Sequence, residues 1–129
     1  MPGATELKVL IVDDSIIARQ MLRKILEDEG VDNVQEALNG AEAIEKYKEF
    51  SPDLVFLDII MPDMPGDKTL EEIISFDKDA RIIMLSSLGT KEKVLECLKK
   101  GAENFIMKPI EKERIVEIFN KIIEAKEAD

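Results

Sequence analysis

Short apolar runs that stop abruptly alternate along this chain with stretches whose apolar residues recur every three or four positions. Residues 7–12 (Leu-Lys-Val-Leu-Ile-Val) are β-rich and end in Asp13-Asp14. From Ser15 a helical period takes over, with Ala18, Met21, Leu22, Ile25 and Leu26 expected on one inward face and Gly30 as its stop. A weaker strand is expected around 34–37. Asn39-Gly40 makes a turn, and Asn39 with Glu42 resembles a capping box for a helix that turns Ala43, Ile44 and Tyr47 inward and ends before Ser51-Pro52. Residues 54–58 (Leu-Val-Phe-Leu-Asp) form an apolar run ending in a carboxylate. The prolines and glycine of Met61-Pro62-Asp63-Met64-Pro65-Gly66 forbid its continuation.

A third helix follows with Leu70, Ile73 and Ile74 as its stripe. Residues 81–85 are a fourth strand running into Ser86-Ser87. A helix over about 90–100 is expected to bury Val94, Cys97 and Leu98, with Gly101 ending it. Residues 104–107 are a fifth strand ending in Lys108-Pro109, and Ile115, Ile118, Phe119 and Ile122 mark an amphipathic last helix. Five strands alternating with five helices predict an α/β, doubly wound parallel sheet with helices on both faces. Its strand ends lie along one edge, where such folds place their chemistry.

Composition narrows that chemistry. The 129 residues suit one domain, expected over 7–126 with flexible ends at 1–6 and 127–129. No apolar stretch is long enough to span a membrane, and the N-terminus lacks the build of a signal peptide, so a cytoplasmic protein is expected. The net charge of −10, from 28 acidic and 18 basic residues, repels nucleic acid and anionic membranes. The absence of histidine removes serine–histidine and cysteine–histidine catalysis and the usual zinc ligands. The single cysteine, Cys97, excludes an internal disulfide.

The strand ends bring forward Asp13, Asp14, Asp58, Ser86 and Lys108. Carboxylates about 5 Å apart repel by roughly 3 kcal/mol per pair at an effective dielectric near 20. Such a cluster calls for a cation, and with only oxygen ligands on offer Mg²⁺ fits best. A lysine and a hydroxyl opposite point to a dianionic phosphoryl group, with one aspartate as its acceptor. Taken singly, an aspartate here is a helix cap and the lysine a surface charge; together they are harder to dismiss.

The segments Val9-Leu10-Ile11-Val12-Asp13-Asp14-Ser15, Leu57-Asp58-Ile59-Ile60-Met61-Pro62, Ser86 and Phe105-Ile106-Met107-Lys108-Pro109 resemble the receiver domain of two-component response regulators over nearly the whole chain. The resemblance implies the flavodoxin-like, CheY-like strand order 2-1-3-4-5. It makes Asp58 the acceptor of a phosphoryl group from a phosphohistidine on a histidine kinase or histidine phosphotransfer protein. Asp13, Asp14, Asp58 and the Ile60 carbonyl would hold Mg²⁺. Ser86 would be the switch hydroxyl, Lys108 the phosphate's ion-pair partner, Phe105 the switch aromatic, and Lys108-Pro109 a cis peptide. The output surface would be the fourth helix, fifth strand and fifth helix, with Lys91, Lys93, Phe105 and Lys112 as exposed members. It would bind an output protein in chemotaxis or a phosphorelay, in a monomer able to dimerise when phosphorylated. Phe105 replaces the commoner tyrosine, and Ile60 and Leu88 are apolar where relatives carry polar residues, so slow self-hydrolysis is expected. A fragment of a larger regulator is the alternative. A phosphatase of the haloacid dehalogenase type would need an acid where Ile60 stands, and a flavodoxin-like FMN binder would need a Ser-, Thr- and Gly-rich loop after the first strand, where Asp13-Asp14 would repel the phosphate.

Overall fold

The structure, a computed structural model, describes residues 6–87 and 89–128, apart from the side chains of 126–128. The element order is β1 (Lys8–Val12), α1 (Ile16–Asp28), β2 (Asn33–Ala37), α2 (Gly40–Phe50), β3 (Leu54–Asp58), α3 (Gly66–Phe76), β4 (Ile82–Ser86), α4 (Lys91–Lys99), β5 (Asn104–Met107) and α5 (Lys112–Ala128). All pairings are parallel, in the order β2-β1-β3-β4-β5. Alternation along each strand splits the core in two. Val9, Ile11, Leu54, Phe56, Ile83, Leu85 and Ile106 join Leu22 and Leu26 of α1 and Ile115, Ile118, Phe119 and Ile122 of α5. On the other face Leu10, Val12, Val55, Leu57, Ile82, Met84 and Phe105 meet Ala43 and Tyr47 of α2, Leu70 and Ile73 of α3 and Cys97 of α4. Buried on both faces, β3 and β4 read as unbroken apolar runs for this reason.

Local signals set the helix ends. Ser15, Asn39 and Thr90 cap α1, α2 and α4 by accepting from the N–H groups of Ala18, Glu42 and Lys93. Gly30 and Gly101 take the left-handed conformation at φ 93° and 112°. There they close α1 and α4 with paired bonds, Gly30 N–H to Glu27 and Val31 N–H to Leu26, then Gly101 N–H to Leu98 and Ala102 N–H to Cys97.

Two residues expected inward are exposed, and one expected outward is buried. Met21 is 47% exposed, because the buried face of α1 runs through Arg19, Leu22, Ile25 and Leu26. Leu98 is exposed too: α4 meets the sheet along a narrow stripe in which only Cys97 is buried. Phe105, expected on the output surface, is buried, since alternation in β5 turns Ile106 to the α1/α5 face and Phe105 to the α4 face. β2 is an edge strand, and Arg23 and Lys46 donate to its Val34 and Glu36 carbonyls. The ends at 1–5 and Asp129 lie outside the described residues, as does Leu88.

Candidate functional site

The sheet order makes the five strand-end residues neighbours. β1 lies beside β3 with Val12 opposite Leu57, which brings Asp13 level with Asp58. β4 separates β3 from β5, with Asp58 opposite Leu85 and Ser86 opposite Met107. Lys108, just past β5, reaches back across the end of β4. Its Nζ donates to Asp13 Oδ2 at 2.8 Å and to Asp58 Oδ2 at 3.0 Å. Asp13, Asp58 and Ser86 are buried, while Asp14 is exposed on the rim. One carboxylate oxygen from each of Asp13, Asp14 and Asp58 lies within 4.8 Å of the others. The arrangement is a carboxylate trio open to solvent on one side, with a lysine bridging its two buried members.

Every polar group of Asp13 is engaged. Its N–H donates to the Ala37 carbonyl at 3.2 Å, and its own carbonyl accepts from Arg19 Nη1 at 2.7 Å. Its Oδ1 accepts from the Ser15 N–H at 2.9 Å. Asp58 Oδ1 accepts from the Ile60 N–H at 3.2 Å. Burial pushes the Asp58 carboxyl up; the Lys108 hydrogen bond opposes this and the neighbouring Asp13 charge reinforces it, leaving the group above the ordinary carboxylate value. Burial alone would lower Lys108, but its bonds to Asp13 and Asp58 carry it above the usual lysine value. A lysine so placed is a firmly held cation.

The loop after Asp58 is fixed from two sides. Gly66 N–H donates to the Ile59 carbonyl at 2.6 Å, and a Cβ on Gly66 would lie 2.1 Å from the Asp58 carbonyl oxygen. Asp63 accepts from the Gly40 and Ala41 N–H groups at 2.9 Å each, tying the loop to the start of α2. Those two bonds hold the Asp63 carboxyl below its ordinary value. Ile60 stands half exposed beside Asp58, and the Lys108-Pro109 peptide is cis. Phe105 sits under the β4–α4 connection, its Cε1 3.0 Å from where a Cβ on Gly89 would be. Lys91 and Lys112 are exposed. Lys93 is instead paired with Asp67 and Glu96, at 3.5 Å each. Arg19 and Asp63 escaped the sequence reading; an arginine three residues before Leu22 on an apolar face was the available sign for the first.

A family model for the response regulator receiver domain matches residues 9–120. The chain belongs to that family. The chemotaxis protein CheY of Bacillus subtilis is 47% identical over 116 residues, 90% of this chain and 97% of that protein. CheY of Thermotoga maritima is 46% identical over 115 residues, 89% and 96% of the two chains. Among solved structures, the CheX-CheY-BeF3-Mg²⁺ complex from Borrelia burgdorferi superposes with a TM-score of 0.84 at 43% identity, covering 86% of this chain and 84% of that one. This receiver domain is CheY-like along most of its length, and its chemotaxis relatives are response regulators. Its aspartate cluster fits the family's phosphorylation site. No helix among the described residues is long and apolar enough to cross a membrane.

Proposed function

We propose that this receiver domain is a phosphorylation-controlled switch in which Asp58 accepts a phosphoryl group from the phosphohistidine of a histidine kinase or phosphotransfer protein. The observation that carries this reading is Lys108 bridging Asp13 and Asp58, with Asp14 alongside, at the carboxyl edge of the sheet. An Asp58 oxygen forms the new P–O bond as the P–N bond to the donor imidazole breaks. The bonding pair leaves with the imidazole nitrogen, which takes up a proton. The acceptor needs no base, because a carboxylate is already a nucleophile. This chain's lack of histidine accords with a donor supplied in trans.

The donor set suits Mg²⁺, being all oxygen and rich in charge. Asp13, Asp14, Asp58 and the Ile60 carbonyl would hold it, and the bound ion would offset charge on the phosphoryl oxygens. Lys108 meets the same oxygens from the side of β5, and Ser86 offers its hydroxyl at the end of β4. Movement of Ser86 toward the phosphoryl group, with Phe105 following beneath Gly89, would bias the α4–β5–α5 surface toward an output protein. The domain, over residues 7–126, works in the cytoplasm as a monomer that can pair when phosphorylated. Its own chemistry is confined to gaining and losing the phosphoryl group. Identity to chemotaxis proteins along most of their length favours chemotaxis over a phosphorelay. Ile60 offers no polar atom from its side chain to orient water, so self-hydrolysis is slow; a phosphorylated half-life of seconds with Mg²⁺ present would refute that.

The test is Mg²⁺-dependent labelling with a small phosphodonor, comparing wild type with Asp58→Asn. Labelling of wild type alone is expected, and equal labelling of both would overturn the assignment.

A further inference from the structure

Arg19 is the buried cation of α1, 8% exposed, and nothing in the phosphoryl-transfer chemistry requires it. A guanidinium this deep persists only when its charge is paired and its donors are used. Nε donates to Glu36 Oε1 at 2.8 Å, and Nη1 donates to the Asp13 carbonyl at 2.7 Å. Glu36, on edge strand β2, also accepts from Arg23 Nε at 2.7 Å. Burial would raise its carboxyl, but the two arginines hold it below its ordinary value, so it stays charged. The Glu36 carboxylate therefore anchors Arg19, and Arg19 in turn grips a peptide of the candidate cation site.

That peptide is the link between Asp13 and Asp14. Its carbonyl is held by Arg19, while the Asp13 N–H is held by Ala37 and the Asp13 carboxylate by the Ser15 N–H and Lys108. The orientation of the peptide plane decides where the Asp14 Cα lies, and so whether the exposed Asp14 carboxylate converges with the buried pair. We propose that Arg19, anchored by Glu36, is a positioning residue for the cation site, fixing the Asp13–Asp14 peptide so that both carboxylates face Asp58. This rests on the reading above that the trio takes Mg²⁺.

The sign of the effect separates positioning from charge. A cationic guanidinium near a cation site opposes metal binding by Coulomb repulsion. If charge were its only influence, removing it would tighten Mg²⁺ binding. If it positions the peptide, removal weakens binding despite the relief of repulsion. Losing a residue that orients metal ligands from behind typically costs 10–100-fold in metal affinity.

The experiment is calorimetric titration of Mg²⁺ into the full chain as wild type, Arg19→Met and Arg19→Lys, with thermal melts in the absence of divalent ions. Arg19→Met is expected to bind about tenfold more weakly. Arg19→Lys, which keeps the charge but loses the planar fork that serves Glu36 and Asp13 together, falls between it and wild type. A purely structural residue would lower the melting temperature and leave the Kd of the folded protein unchanged. Equal or tighter binding by Arg19→Met overturns the proposal. If that variant does not fold, Arg19→Lys decides, and wild-type affinity in it overturns the proposal equally. Absence of saturable Mg²⁺ binding in wild type would instead remove the metal reading, and this role with it.

Discussion

Gly66→Ala is the substitution most sharply constrained by the geometry around Asp58. Gly66 opens α3, and its φ is not in the left-handed region, so alanine meets no conformational objection. On propensity alone alanine gains up to about 1 kcal/mol in a helix, and less at its first residue. Most of that gain, roughly 0.4–1 kcal/mol, is the reduced freedom of the unfolded chain. Against this stands space. The new Cβ would lie 2.1 Å from the Asp58 carbonyl oxygen, 2.6 Å from Ile59 Cα and 2.9 Å from the Asp58 carbonyl carbon, all backbone atoms of the central strand and its exit. Overpacking of a dense interior costs about 1–3 kcal/mol and sometimes more, and a clash against backbone belongs at the upper end. The expected net loss is about 2 kcal/mol, or a fall in Tm of about 7 °C for a chain of this length. Gly40→Ala provides the internal comparison. Its Cβ would meet side chains instead, Met64 Cγ and Thr69 Oγ1 at 2.5 Å each. Met64 is half-buried and can turn aside, so the loss there is expected to be smaller, about 1 kcal/mol. Urea unfolding followed by circular dichroism measures both, and labelling by a small phosphodonor reports whether Asp58 has moved. Stability of Gly66→Ala within about 0.5 kcal/mol of wild type, the size of an ordinary surface substitution, would refute the reasoning.

Asp67→Asn removes the carboxylate that joins α3 to α4 through Lys93 at 3.5 Å and Lys100 at 3.3 Å. Because the lysines are partly solvated, the loss is expected to be about 1 kcal/mol at low salt and to shrink as salt is added. Burial alone would raise the Asp67 carboxyl, but the Lys100 hydrogen bond and the Lys93 charge hold it below its ordinary 3.8. Its contribution is therefore present above that value and disappears as pH falls through the lower, folded value. Acid unfolding of the two proteins should converge there; a constant gap would refute the pairing. Tyr47→Phe deletes a hydroxyl that donates to Asp77 Oδ2 at 2.7 Å, at an expected cost of about 1 kcal/mol in urea unfolding. Burial, then Asp77, raise the Tyr47 phenol. As the chain has one tyrosine and no tryptophan, phenolate absorbance reads this residue alone. Its alkaline midpoint should drop toward the ordinary 10.0 in denaturant, and equal midpoints would contradict the bond.

The convergence of the candidate residues was legible because they sit where apolar runs are cut short: Val12 gives way to Asp13, Leu57 to Asp58, Leu85 to Ser86 and Met107 to Lys108. Given parallel strands, those interruptions had to share an edge, and the Lys108 bonds to Asp13 and Asp58 follow from the strand order. What escaped was pairing across distance. Arg19 took a core position on α1 that periodicity assigned to apolar neighbours, because Glu36 and the Asp13 carbonyl neutralise and satisfy it there. Asp63 looked like one more loop acid, since nothing local announces that the Gly40 and Ala41 N–H groups lie within its reach. Phe105 was placed outward by analogy of role, although alternation with Ile106 required one of the two to face α4.

The hydrogen bonds along β2 carry a consequence for life at high concentration. The carbonyl of Ala37 is spent on the Asp13 N–H, toward β1, so by alternation those of Val34 and Glu36 point away from the sheet. An edge left this way invites the strand of another molecule to add to it. Here Arg23 and Lys46 already occupy both outward acceptors, and their charges would have to be stripped away before a foreign strand could dock. The same side chains that stitch α1 and α2 to the sheet thus guard this flank against growth into aggregates. Neutralising Arg23 and Lys46 together would expose that flank even where the fold itself survived.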